Sequence, residues 1–201
     1  MKLRFVGVVC TIFVALLILS ASFLKTTSIK YAYSQLVLSE TVEAKETDKE
    51  IDYFLAYQGK INPDNPLWYI KAIRDRVWQI FTFNDLKKVE LNLLFSDKRL
   101  NSAIYLFKKN KPDIGLTTLL KAEKYLEKAY DKKIEDIDYH KKVATSALKH
   151  RQVIETEILP LTPEDLRPQV IKTIDYSKET YKKARDFMLS KGAIPPDNPF
   201  E

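Results

Sequence analysis

The side chains that could do chemistry fall on three short stretches of this 201-residue chain. His140 and His150 are its only histidines. On a continuous helix they stand about 15 Å apart, too far to share a metal ion. No His-Glu-x-x-His spacing accompanies them, so they read as surface or boundary histidines. Asp131, Glu135, Asp136 and Asp138 gather four acids in eight residues. They lack the alternating ligands and central glycine of a calcium loop. Lys132, Lys133, Lys141 and Lys142 flank them, the pattern of a solvated, salt-bridged face. Glu90 and Asp97 share one helix face, but about 10 Å along it is too wide for a shared proton. Ion pairs with Arg74 or Arg76 are their expected role. The 11 tyrosines and 10 phenylalanines could build a sugar-binding platform, yet most fall in helical stripes where core packing accounts for them. No nucleophile elbow, phosphate loop or dinucleotide fingerprint occurs. These residues predict no catalytic, metal or cofactor-binding site, and no enzyme.

The elements around them are helical. Glycine occurs four times, and no region alternates apolar and polar residues for long. Asn65 is expected to cap a helix opening at Pro66, since the first helical position has no amide partner to lose. Leu67, Ile70, Ile73, Val77 and Ile80/Phe81 recur on one face of it, with Trp68 and Trp78 on the same helix. Asp85, or Asn84, caps the next helix, whose stripe is Leu86, Val89, Leu93, Asp97, Leu100, Ile104 and Phe107; Asn110 and Pro112 end it. A third register runs from Asp113 through Leu126, Ile137 and Leu148 to Leu159. Unbroken, it would reach about 70 Å, so it must bend, break near Asp131 to Asp138, or project. Thr162 is expected to cap the last helix, with a start that Arg167-Pro168 can shift downstream, and Gly192 to close it. The fold class is all-α: a membrane-spanning helix, then a bundle of about four helices.

Phe5 to Leu24 is a twenty-residue run without charge, preceded by Lys2 and Arg4 and followed by Lys25. That length spans a hydrocarbon layer of roughly 30 Å. The alternative is a cleaved secretory signal, with Ser20-Ala21-Ser22 before the cut. Either way the bulk of the chain lies outside the cytoplasm, single-pass in the cell membrane or secreted. Cys10 sits inside the run rather than just after it, which argues against a lipid anchor. No other cysteine follows, so the outer part holds no disulfide. The formal net charge is +6. Lys2, Arg4 and Lys25 contribute three of those charges, and mixed signs along every later segment argue against a nucleic-acid partner. The organisation read from these signals is an anchor or signal at 1–25, a tether with a marginal helix at 26–59, a helical domain at 60–192 and an extended tail at 193–201.

From Pro63-Asp64-Asn65-Pro66-Leu67-Trp68-Tyr69 through Lys71, the chain resembles a bacterial family of extracytoplasmic helical domains of unknown function, in which a Pro-Asp-Ser-Pro-type turn opens an amphipathic helix. The likeness continues through Phe81-Thr82-Phe83 and Lys88-Val89-Glu90-Leu91 to Asp97-Lys98-Arg99-Leu100, covering roughly 61–133. Asn65 stands where that family more often has serine. The resemblance implies a secreted or membrane-anchored module and carries over no catalytic residue. The expected function is non-catalytic interaction or scaffolding at the cell envelope, toward an unknown protein or cell-wall partner, with a sensory or regulatory outer domain as the alternative. Ile194-Pro195-Pro196-Asp197-Asn198-Pro199-Phe200 repeats the pattern of Ile61 to Leu67. With no helix after it, this copy is expected to be a loosely tied remnant.

Overall fold

The structure, a computed structural model, describes residues 51–201. The uncharged run Phe5–Leu24, Cys10 and the tether before Ile51 lie outside the described residues, as does the question of cleavage. Among those described there are five α-helices and no strand: α1 Trp68–Ile80, α2 Asp85–Lys108, α3 Pro112–Ala129, α4 Ile137–Val153 and α5 Arg167–Ser190. None is long and apolar enough to cross a membrane.

Local chemistry sets the boundaries. The Asn84 side chain accepts the Lys87 amide at 2.9 Å and caps α2. Asp85, expected in that role, is instead the first helical residue, because the extended backbone a cap requires falls at Asn84. Asn110 ends α2 at φ 55°, with Lys111 N–H bonded to the Leu106 carbonyl at 2.9 Å and Asn110 N–H to that of Phe107 at 3.0 Å. Gly192 does the same for α5 at φ 73°, with Ala193 N–H on the Met188 carbonyl. α1 starts two residues later than Pro66. The Asn65 side chain accepts the Leu67 amide at 2.9 Å in a turn that leads into it. Thr162 caps nothing: its hydroxyl bonds back to the Ile158 carbonyl at 2.8 Å, and α5 opens at Arg167 from Leu166 with no side-chain cap.

The long third register is two helices. Asp131 takes the Lys133 amide and Asp136 the Tyr139 amide, each at 3.0 Å, so these acids turn the chain rather than face solvent along a helix. Beyond Val153 the backbone widens into a π turn, Ile154–Ile158, and tightens into a 3-10 turn, Leu159–Leu161, before Pro163.

Two hairpins, α2–α3 and α4–α5, make the bundle. Asn92 meets Lys128 and Phe107 meets Gly115, so α2 and α3 run antiparallel. Glu123 meets Ser177 and Glu127 meets Lys183, so α3 and α5 run parallel. α2 touches α4 on the opposite side and closes a square. The expected stripe of α2 is inward at Val89, Leu93, Asp97, Leu100, Ile104 and Phe107. The segment assigned to the tether rests partly on the bundle: Ile51 is buried, Tyr53 and Leu55 pack against the core, and Phe54 and Tyr57 point out.

α1 is inverted. Its aliphatic stripe, expected in the core, is exposed at Leu67, Ile70, Ile73, Val77, Ile80 and Phe81, by 42% to 67%. The opposite face carries Trp68, Lys71, Asp75, Trp78 and Gln79, of which Trp68, Trp78 and Gln79 reach α2, and Trp68 also Lys121 of α3. Periodicity identified the helix, but it does not say which face meets the bundle.

Candidate functional site

The apolar interior is divided. One cluster, built on Val89, Leu93, Leu126, Val143, Leu148 and Tyr181, fills one end of the bundle. A second, built on Leu100, Leu119, Val153, Ile158, Val170 and Ile174, fills the other. Between them the four bundle helices contribute polar residues: Asp97 from α2, Glu123 from α3, Ser146 and His150 from α4 and Ser177 from α5. All five are buried.

They form one hydrogen-bonded chain. His150 lies between two carboxylates, Nδ1 at 2.7 Å from Glu123 Oε1 and Nε2 at 3.2 Å from Asp97 Oδ1. The Ser177 hydroxyl donates to Glu123 Oε2 at 2.5 Å. Ser146 donates to Asp97 Oδ1 at 3.2 Å, and the Tyr53 hydroxyl to Asp97 Oδ2 at 2.9 Å. Burial alone would push the imidazole pKa down. The Glu123 charge, together with hydrogen bonds to Asp97 and Glu123, outweighs it and holds the pKa up at about 9. His150 is therefore an imidazolium at neutral pH, donating from both nitrogens.

A histidine between two carboxylates is a set that could relay protons, but both nitrogens and all four carboxylate oxygens already have partners within the protein. The imidazole nitrogens face different carboxylates, and among the described residues no group of three or more His, Cys, Asp or Glu is arranged to hold a metal ion. This corrects the sequence reading of both histidines. His140 is as enclosed as His150. Its Nε2 donates to the Ile134 carbonyl at 2.7 Å, its ring lies 4.0 Å from that of Phe187, and its Nδ1 has no protein partner. Asp97 pairs with neither Arg74 nor Arg76, and Glu90 is exposed. Arg74 pairs instead with its neighbour Asp75.

Asp97 was visible in the α2 stripe as a charge at a core position. Glu123 was missed, although its place between Leu119 and Leu126 put it on the inner face by the same spacing. Of the four acids at 131–138, Asp131 and Asp136 serve the turn, and Glu135 faces Lys191 at 3.6 Å.

Open space reaches this chain at Ser177. A groove of about 290 Å³ between α4 and α5 is lined by Arg151, Ser177, Lys178, Tyr181, Lys182 and Arg185 along with tail residues Asn198 and Glu201. The tail is extended but tied down, in contrast to the expected loose remnant. Phe200 packs against the core with the Arg151 guanidinium 4.0 Å from its ring centre. Tyr181 donates to the Pro196 carbonyl at 3.1 Å, and Arg185 lies 3.5 Å from Glu201. Asn198 accepts the Phe200 amide at 3.2 Å, the same turn Asn65 makes.

At α1 the inward face is polar and the outward face apolar. Lys71 Nζ donates to the Gln58 and Ile61 carbonyls, and Gln79 to the Asn92 side chain at 2.9 Å. The Arg99 guanidinium stands 5.4 Å from the Trp68 ring and 4.9 Å from that of Tyr125, pinning the start of α1. Burial lowers the pKa of Lys71 and Lys98 beneath it. The contacts that Trp68, Trp78 and Gln79 make with α2, aromatic and polar, come from this inward face, and rolling the aliphatic side inward would break them.

No curated protein and no solved structure matches the chain. A family model, the domain of unknown function DUF5667, matches residues 60–163, just over half the chain. That span runs from the Pro63–Pro66 turn through the π turn and includes Asp97, Glu123 and His150. The chain belongs to the DUF5667 family, a helical domain of unknown function.

Proposed function

We propose that this protein is a non-catalytic interaction or scaffolding module of the bacterial cell envelope, held outside the cytoplasm by Phe5–Leu24 and working through the outward face of α1. The observation that carries the reading is the inversion of α1: six large apolar side chains at three- and four-residue spacing stand exposed on a helix fixed by its polar face. Contiguous apolar surface of that kind marks an interaction site. The sealed state of Asp97, Glu123 and His150 supports binding over catalysis, because their hydrogen bonds are spent on joining four helices.

Protease added to intact cells tests the placement. The domain after Lys25 should be digested without lysis, and protection until lysis would refute it. The choice of surface is tested in cells with a photo-crosslinking residue at Ile73. An adduct there, and none at exposed Lys142 on α4, is the expected result. Absence of any adduct at Ile73 would refute an α1 interface.

A further inference from the structure

Resting on that reading, we infer that the outward face of α1 lies against a lipid membrane surface, its aliphatic residues at the acyl boundary and its arginines among anionic headgroups. At 100° per residue, Ile70, Ile73, Val77 and Phe81 centre the stripe, and Leu67 and Ile80 widen it. Arg74 falls between Phe81 and Leu67 at one edge, and Arg76 falls just past Ile80 at the other. The Arg74 side chain is 61% exposed even while paired to Asp75, and Arg76 is exposed. Tyr69 and Phe83 add exposed aromatic rings at the two ends. Apolar centre, cationic borders and aromatic ends are the pattern of a helix lying in a bilayer interface.

A protein partner would equally use the apolar centre. What favours lipid is the chain upstream. The uncharged run ends at Leu24, and the described structure begins at Ile51. Even fully extended, the intervening residues reach only about 90 Å. Any bilayer holding the run therefore confines α1 to its vicinity, where weak contacts act at high effective concentration. The cationic borders complement an anionic leaflet, and each arginine near such a surface contributes about a fivefold factor in binding.

The full chain, with Cys10→Ser and a single Ile73→Cys carrying an environment-sensitive fluorophore, is reconstituted in vesicles of phosphatidylcholine with a minor fraction of phosphatidylglycerol. Nitroxide-bearing lipids serve as quenchers, and Lys142→Cys is the control. The expected result is a blue-shifted emission at residue 73 that lipid nitroxides quench, no quenching at 142, and weaker quenching in Arg74→Gln/Arg76→Gln. If emission at 73 is blue-shifted but unquenched, the face is covered by protein (a second copy or the chain's own N-terminal segment). The lipid inference then fails while the interaction reading stands. If emission matches that of a water-exposed label, the lipid inference fails, and the interaction reading fails with it only if Ile73 also gives no crosslink in cells.

Discussion

Raising the pH should weaken this fold through a single histidine. The free imidazole titrates at 6.5, whereas His150 in the folded protein titrates at about 9. Below pH 6.5 both folded and unfolded chains hold the proton, so the stabilisation is fully present. Between 6.5 and 9 only the folded chain holds it, and stability falls with a slope of up to about 1.4 kcal/mol per pH unit. Above 9 the contribution is gone. The total is on the order of 3 kcal/mol, a large share of the ~5–15 kcal/mol typical of a domain. The assay is urea unfolding of residues 47–201, a compact unit, at pH 6 to 10. His150→Gln serves as reference, because it keeps a polar side chain but cannot titrate. Lys71 and Lys98, lowered by burial, act in the opposite sense, and the comparison subtracts them. Parallel stability curves for the two proteins would refute the imidazolium assignment.

Three further outcomes follow from packing. Leu93→Ala and Leu100→Ala, each almost wholly enclosed, should cost about 2–5 kcal/mol; losses below about 0.5 kcal/mol at both in denaturant titrations would contradict the α2 register. Gly115→Ala places a Cβ 2.9 Å from the Phe107 ring and should cost about 1–3 kcal/mol, and an unchanged unfolding midpoint would show that the ring gives way freely. Phe200→Ala removes a half-buried ring and its Arg151 contact, for an expected loss of about 1–2 kcal/mol; a loss near zero would return the tail to the loose state its prolines suggested.

Helix content, the helix end at Gly192 and the core stripe of α2 were legible because spacing and backbone chemistry are local. The break at Asp131 to Asp138 was one of three outcomes that helix length left open, and the Asp131 and Asp136 turns decide it. Burial was not legible. His140 and His150 carry no local mark of being enclosed: His150 is buried against carboxylates brought by α2 and α3, and His140 against the Ile134 carbonyl and the Phe187 ring. The outward turn of α1 was hidden for a related reason. Its stripe has the spacing of a core helix, and the competing polar anchors, Gln79 to Asn92 and Arg99 to Trp68, are contacts between separate elements. The tail misled in the other direction, since three prolines predict an extended backbone correctly and say nothing about Phe200 finding Arg151.

The polar layer also runs past the limits of the matched span. Residues 60–163 hold Asp97, Glu123, Ser146 and His150, but Ser177 lies beyond that span and Tyr53 before it. Excised at those limits, the segment would lose α5 entirely, baring the flanks of α3 and α4 and leaving the Glu123 carboxylate one donor short. An uncompensated charge of that kind is costly to keep in an interior. A segment cut at those limits would need a different fourth wall, from other sequence or from another subunit, to close the square and to supply the donor that Ser177 gives Glu123.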